Sequence, residues 1–218
     1  MDRQKKTYEI AGKSVTLFPA AQAHRPLIVL NTHDGDGESV MGELGQIGGE
    51  EINLLVIGNL DWNQDMTPWP CPALLGGADE YLALLLSEIL PKAIEAVSGD
   101  PVRICIAGYS LAGLFALYAL YRCDVFDRAA SISGSLWFPG FRKFVEERGI
   151  PGKTDKIYLS LGDKEKKTRH PLMKTVQEDT EAIAAHYKQL GMDVTFELNP
   201  GKHFQDSDFR IARGIASI

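Results

Sequence analysis

Short apolar runs recur along the chain, and they predict eight β-strands. Residues 7–10 and 15–18 are separated by the turn-forming sequence AGKS, a pattern that predicts a hairpin. The other six predicted strands are 27–31, 54–58, 102–108, 129–135, 156–162 and 194–198. The central runs are apolar at consecutive positions rather than at alternating ones. That pattern is typical of strands buried on both faces of a parallel sheet.

Helical patterns lie between most of the predicted strands. Segments 78–97 and 172–190 have apolar residues at helical spacing, and helices are also predicted at 141–148 and 206–218. Segment 110–122 is apolar nearly all round, which indicates a buried helix. Because strands and helices alternate, the sequence predicts an α/β fold, with a mainly parallel eight-stranded sheet flanked by helices.

The chain has the length of a single domain, which we predict to span residues 1–218. That length is sufficient for a substantial core. The longest irregular segment, 59–77, is long enough for a binding loop but short for a lid domain. We therefore expect no large cap domain and an open cleft.

Composition limits the class of protein and its partners. The chain is 44% apolar and 24% charged, with a formal charge of -6, so we expect no nucleic-acid groove and no anionic membrane surface as partner. The longest apolar run, 111–121, is shorter than the roughly 20 residues that span a bilayer, and the N-terminus has no signal-peptide core. We expect a cytoplasmic protein with reduced thiols at Cys71, Cys105 and Cys123. The oligomeric state is left open.

The sequence AGYSLAG follows the fifth predicted strand and places Ser110 at a sharp turn into the buried helix. Ligands of parallel sheets bind beyond the carboxyl ends of the strands. A nucleophilic serine at such an elbow requires small neighbours, which Gly108 and Ala112 provide, while Gly113 lets the helix approach the sheet. The usual pattern has glycine where Ala112 stands. The alternative is that Ser110 caps the helix.

Acidic and basic partners for Ser110 follow two later strands. Asp163 and Glu165 come directly after the seventh predicted strand, and His203 follows a Pro-Gly turn after the eighth. Serine, acid and histidine in this order are typical of an α/β-hydrolase triad. Histidine is suited to take the serine proton, and a carboxylate orients the imidazole. The residues alone leave open which of the two acids serves.

An oxyanion formed during such a reaction needs two hydrogen-bond donors. The N–H of Leu111, after the nucleophile, is the first. The second is predicted in the loop NTHDGDGES after the third strand, with Asp34 and Gly35 as the candidates. The same loop resembles the start of a calcium site but lacks the later ligands, so we predict no metal, and we expect no cofactor.

Aromatic residues near the strand ends are candidates for a substrate pocket. We predict substrate contacts from His33, Tyr109, Trp69 and Trp137 because such pockets are mostly apolar with few polar groups. His33 is equally suited to a structural hydrogen bond, and the tryptophans are equally suited to the core.

Six stretches together are similar to a known family: DMTPW, GGADEYLALLLSEILPKAIE, AGYSLAGLFALYAL, SISGSLWF, LSLGDKE and NPGKHF. They resemble the serine esterases related to enterochelin esterase, an esterase D-like group of the α/β-hydrolase superfamily. The resemblance implies hydrolysis of a carboxylic ester through an acyl-enzyme, with Ser110 as nucleophile and His203 as base. It also implies Glu165 as the acid, three residues after Gly162, with Asp163 as the alternative.

Two classes of function follow from these features. The first is a serine hydrolase that acts on a small soluble ester, with an acyltransferase or peptidase as a variant that uses the same triad. The second is a non-catalytic binding protein that retains the hydrolase fold. The three polar residues favour the enzyme because a binding protein has no need of them.

Overall fold

The computed structural model describes residues 4–33, 35, 37–48, 51–72 and 74–218. Its strands are β1 (Lys6–Ile10), β2 (Lys13–Phe18), β3 (Leu27–Asn31), β4 (Asn53–Gly58), β5 (Ile104–Tyr109), β6 (Arg128–Ile132), β7 (Lys156–Gly162) and β8 (Asp193–Asn199). Its helices are α1 (Glu38–Ile47), α2 (Trp62–Asp65), α3 (Ala78–Leu84), α4 (Leu90–Ala96), α5 (Leu111–Ala119), α6 (Phe141–Glu147), α7 (Val176–Gln189) and α8 (Ser207–Ala216). A π-helical turn, Leu85–Ile89, joins α3 to α4.

All eight strands form one sheet in the order β1-β2-β4-β3-β5-β6-β7-β8. Strand β2 is antiparallel to both of its neighbours, β1 and β4. The other neighbouring pairs in this order are parallel: β4–β3, β3–β5, β5–β6, β6–β7 and β7–β8. The hairpin and the mainly parallel sheet confirm the prediction from the apolar runs. The central strand β5 ends at the residue before Ser110, which puts that serine at the middle of the carboxyl edge.

Helices cover both faces of the sheet, and two apolar cores result. Alternate residues of β3 separate into them: Val29 belongs to one core, and Ile28 and Leu30 belong to the other. Helices α3 to α7 pack in the first core, and α1 and α8 pack in the second. Every residue of α5 is buried, which confirms the buried helix predicted from its apolar surface.

Several secondary-structure predictions differ from the structure. Helix α1 was not predicted, because Gly42 and Gly45 interrupt its pattern and lower its helix propensity. The single helix predicted over 78–97 is divided by the π-helical turn just before Pro91, whose missing N–H and bulky ring disturb the preceding helical bonds. The strand predicted over 129–135 ends at Ile132, because Ser133 has a left-handed backbone with φ of 46°.

The segment between β4 and α3 contains α2 and an isolated bridge between Cys71 and Leu74. All three cysteines are unpaired thiols. Within the described ranges, no helix has both the length and the apolar character needed to cross a membrane.

Candidate active site

Ser110 stands at a sharp turn between β5 and α5. Its backbone has φ of 60° and ψ of -122°, a conformation that a non-glycine residue adopts only when its surroundings hold it there. Its N–H donates to the carbonyl of Ile132 at 3.1 Å, and its carbonyl accepts from the N–H of Ser135 at 2.9 Å. The Ser110 hydroxyl makes no capping hydrogen bond to α5. The helix-cap alternative is therefore wrong for this serine.

Small residues around Ser110 make the elbow sterically feasible. A Cβ atom at Gly108 would lie closer than 3.0 Å to the carbonyl oxygen of Ala112. One at Gly113 would lie 2.9 Å from the carbonyl oxygen of Gly108, where α5 crosses the sheet. Both contacts involve backbone atoms, which cannot shift without distorting the elbow. The close approach of β5 and α5 therefore requires glycine at both positions.

His203 lies between Ser110 and Glu165. Its Nε2 is 3.1 Å from the Ser110 Oγ, and its Nδ1 is 2.7 Å from the Glu165 Oε2. Tyr109 also contacts the histidine. The tyrosine hydroxyl donates to the His203 carbonyl, and the centroids of the Tyr109 and His203 rings are 5.4 Å apart. The three residues come from the ends of β5, β7 and β8, so the parallel sheet brings them together across more than 90 residues of sequence.

The Glu165 carboxylate is buried, with a side-chain exposure of 5%. Its Oε1 accepts hydrogen bonds from the Gly162 N–H at 2.6 Å and from the Ser133 hydroxyl at 2.7 Å. Burial by itself raises the pKa of Glu165. The hydrogen bonds from His203, Gly162 and Ser133 outweigh burial and hold the pKa below its ordinary value. The group is therefore arranged to be ionised.

Asp163, the alternative acid, has a different environment. Its side chain is exposed, and its Oδ1 accepts a hydrogen bond from the N–H of Gly201 at 2.8 Å. The Asp163 N–H also donates to the carbonyl of Asn199 at 2.8 Å. Asp163 thus stabilises the turn that precedes His203, and it is Glu165 that contacts the imidazole.

The sequence analysis did not identify two residues that lie near His203 and Glu165. Arg210, in the first turn of α8, is 1% exposed and lies 3.5 Å from the Glu165 Oε1. The pattern of α8 gives no signal for it, because an arginine on an amphipathic helix ordinarily faces solvent. Phe204 is 85% exposed, and its ring meets that of His203 edge-on at 4.7 Å. The position of Phe204 directly after His203 is the sequence feature that could have identified it.

The donors expected for an oxyanion lie on either side of Ser110. Leu111 is the first residue of α5, so its N–H belongs to the donors that have no partner within a helix. After β3, the N–H of Thr32 donates to the carbonyl of Ile57 at 2.9 Å, so it is not directed at an oxyanion. The Thr32 hydroxyl donates to the Gly35 carbonyl at 3.2 Å. Asp34, the other candidate, lies outside the described residues.

Two cavities meet at Ser110, and Phe204 lines both. The larger has a volume of about 610 Å³ and lies against the loop after β3 and against α8. The smaller, of about 300 Å³, also contains His203, Glu165 and Trp137 in its wall. Both volumes lie within or near the range of sites for small organic ligands.

The predicted substrate contacts divide between these cavities and the core. His33 and Tyr109 line the larger cavity, where Trp62 packs edge-on against His33 with centroids 5.2 Å apart. Trp137 lines the smaller cavity. Trp69 lines neither of them. Its indole N–H donates to the carbonyl of Pro139 at 3.0 Å, and its ring packs in an aromatic cluster with Tyr118, Phe138 and Phe144.

Comparison with known proteins identifies the family. The model of the Esterase family, whose description is "Putative esterase", matches residues 19–208, and the chain belongs to this family. The siderophore hydrolase EstA from Aspergillus nidulans superimposes with a TM-score of 0.75 at 20% identity, over 98% of this chain and 93% of that one. The fold is that of the α/β-hydrolases, which confirms the predicted fold class.

Curated relatives match over part of their length. The uncharacterized protein YbbA of Bacillus subtilis is 24% identical over 137 residues, which are 58% of this chain and 55% of YbbA. The siderophore enterobactin esterase of Emericella nidulans is 30% identical over 122 residues, which are 50% of this chain and 39% of that protein. The chain thus spans about half of the first relative and about two fifths of the second.

Proposed function

We propose that this protein is a serine hydrolase that cleaves a carboxylic ester of a small molecule through an acyl-enzyme intermediate. Membership of the esterase family indicates ester hydrolysis in general. The observation that carries the serine mechanism is the position of His203, within hydrogen-bond reach of both Ser110 and Glu165. A nucleophile, a base and a group that orients the base are what acyl transfer by serine requires.

Acylation begins when the His203 Nε2 takes the proton of the Ser110 hydroxyl while Oγ attacks the ester carbonyl carbon. The carbonyl oxygen becomes an oxyanion and accepts hydrogen bonds from the Leu111 N–H and from an N–H of the loop after β3. The ionised Glu165 stabilises the imidazolium that forms. His203 then returns the proton to the leaving alcohol as the carbon–oxygen bond breaks.

Deacylation repeats these steps with water as the nucleophile. His203 takes a proton from the water, the hydroxide attacks the acyl carbon, and Ser110 leaves with the proton that the imidazolium returns. Deacylation thereby regenerates the Ser110 hydroxyl and the neutral His203 imidazole. The products are a carboxylic acid and an alcohol, and the triad returns to its starting protonation state.

The cavities support a small and accessible ester as substrate. Their volumes accommodate organic groups of modest size, and the aromatic side chains of Trp62, Tyr109 and Phe204 provide an apolar wall for one of them. The relative named as a siderophore enterobactin esterase, 30% identical over half of this chain, supports a siderophore ester as one candidate substrate.

Hydrolysis of a panel of p-nitrophenyl esters tests the proposal. The wild type should hydrolyse at least the short-chain or aryl members, and Ser110→Ala should abolish turnover without unfolding the protein. Ser135→Ala is the matched control, because its Oγ is the neighbouring hydroxyl, 3.4 Å from that of Ser110. It should retain most of the activity. A folded wild type that turns over no ester would favour the binding-protein alternative.

A further inference from the structure

Arg210 is a buried cation beside the acid of the triad, and none of the steps above uses it. Its guanidinium lies beneath the active site in the first turn of α8, with 1% of the side chain exposed. A buried guanidinium is costly unless hydrogen bonds and an opposite charge compensate for the lost water. The role of Arg210 therefore follows from the groups that its guanidinium contacts.

The two terminal nitrogens of Arg210 reach two different parts of the site. Nη1 lies 3.5 Å from the Glu165 Oε1 and donates to the Ser133 Oγ at 3.3 Å. Nη2 donates to the carbonyl oxygen of Pro200 at 2.8 Å, three positions before His203. The planar guanidinium fork is rigid, so it fixes the distance between the groups that it bridges. It thereby connects the turn of the acid to the turn of the base.

Arg210 contacts the oxygen of Glu165 that does not face the imidazole. Within the described chain, the contacts of Oε1 are Arg210, the Ser133 hydroxyl and the Gly162 N–H, while Oε2 contacts His203. Gly162 provides the space, since a Cβ atom there would lie 3.1 Å from both the Arg210 Nη1 and the Glu165 Oε1. The carboxylate is thus held from one side and presented to His203 from the other.

We propose that Arg210 is a positioning residue of the esterase site: it fixes the Glu165 carboxylate and the His203 turn relative to each other and balances the buried negative charge. The inference rests on the proposed function, because the arrangement it maintains is the triad. The titratable groups that face Glu165 are His203, Arg210 and Tyr109. Without the guanidinium, the carboxylate would keep its hydrogen bonds from Ser133 and Gly162 but lose the cation that faces it, and the loss of a nearby positive charge favours the protonated histidine.

The test compares Arg210→Met and Arg210→Lys with a matched control on the same helix. Arg213 is 46% exposed and pairs with Glu197 at 3.0 Å, away from the triad, so Arg213→Met removes a surface arginine and its ion pair without changing a contact of the triad. For each variant, kcat, KM and the acid limb of the pH profile of kcat/KM are measured per site labelled by a fluorophosphonate. Counting labelled sites excludes unfolded protein from the rates.

Arg210→Met should lower kcat by about 10- to 100-fold, because a small misplacement of catalytic groups can cost about 10²-fold in rate. KM should change by less than about twofold, because Arg210 lines neither cavity. The acid limb should move to higher pH because His203 is more easily protonated. Arg210→Lys retains the charge but loses the fork, so it should lower kcat and leave the acid limb in place. Arg213→Met should match the wild type.

The inference is wrong if Arg210→Met has the kcat and acid limb of the wild type per labelled site, even when its melting temperature falls. If Arg210→Met does not fold, Arg210→Lys decides: a lower kcat with an unmoved acid limb supports positioning, and an unchanged kcat refutes it. A wild type that neither reacts with the fluorophosphonate nor hydrolyses esters refutes the proposed function instead. That result is obtained before any Arg210 variant is measured.

Discussion

The Oε2 of Glu165 lies 2.7 Å from the Nδ1 of His203, and this contact distinguishes Glu165 from an acid only two positions away. Asp163 belongs to the same turn, but its carboxylate accepts from the backbone of Gly201 and is exposed. A turn places neighbouring side chains in different directions, and the direction decides which of them meets the imidazole. The two carboxylates are therefore expected to differ sharply in their effect on turnover.

Glu165→Gln should lower kcat by about 10²-fold or more, because the amide neither fixes the imidazole tautomer nor stabilises the imidazolium. Asp163→Asn is the matched control, since its side-chain carbonyl can still accept from the Gly201 N–H. It should change kcat by less than about threefold. Steady-state hydrolysis of one ester by both variants provides the comparison. The opposite ranking would make Asp163 the acid.

Glu165 should also link folding stability to pH. Its pKa is lowered in the folded protein, so the folded state binds protons less readily than the unfolded state. The stabilisation is fully present above the ordinary glutamate pKa and is lost as the pH falls through the lowered value of the folded state. The difference in free energy of unfolding between the wild type and Glu165→Gln should therefore fall as the pH is lowered from about 6 to below the ordinary glutamate pKa of about 4.3. Urea titrations measure it, and parallel curves would contradict the prediction.

The close approach at the elbow predicts opposite effects for two glycine substitutions. Gly108→Ala forces a Cβ against the Ala112 backbone and should destabilise the fold by about 3 kcal/mol or more. Gly45→Ala is the matched control, because Gly45 is exposed within α1 and no atom lies within 4 Å of its added Cβ. It should stabilise the fold by about 0.5–1 kcal/mol. Urea midpoints of the two variants test both signs, and equal effects would contradict the steric account.

The two tryptophans that were predicted to contact substrate should behave differently. Trp137→Ala changes the wall of the smaller cavity, so it should alter kcat/KM for bulky esters by about 5- to 50-fold and leave most of the stability intact. Trp69→Ala removes a ring from an aromatic cluster and should cost about 2–4 kcal/mol of stability, with kcat/KM per folded molecule unchanged. Thermal melts and ester kinetics on both variants separate the two roles. A kinetic defect confined to Trp69→Ala would contradict the assignment.

Patterns along the chain were sufficient for the sheet, because its central strands are buried. These strands are covered on both faces and have continuous apolar runs, and the eight predicted runs correspond to β1 through β8, including the more exposed edge strands β1 and β8. Helix α1 was missed because its stability comes from packing against α8, a contact between segments about 170 residues apart. Local propensity is weak there, with two glycines in ten residues.

The part of the candidate site that follows directly from the strand order was predictable. Ser110 and His203 follow strands of a parallel sheet, so their place at its carboxyl edge follows from the strand order. Arg210 was not predictable, because its burial depends on Glu165 and Pro200, which reach it from other strands. Trp69 was predicted at the site because it follows a strand end, but its ring finds apolar partners on α5 and α6 instead.

The central claim is that Ser110 is an activated nucleophile, and intact-mass measurement after reaction with a fluorophosphonate tests it most directly. The wild type should gain the mass of one adduct, Ser110→Ala should gain none, and Ser135→Ala should still gain one. An adduct that persists in Ser110→Ala, or a folded wild type that gains none, would contradict the claim.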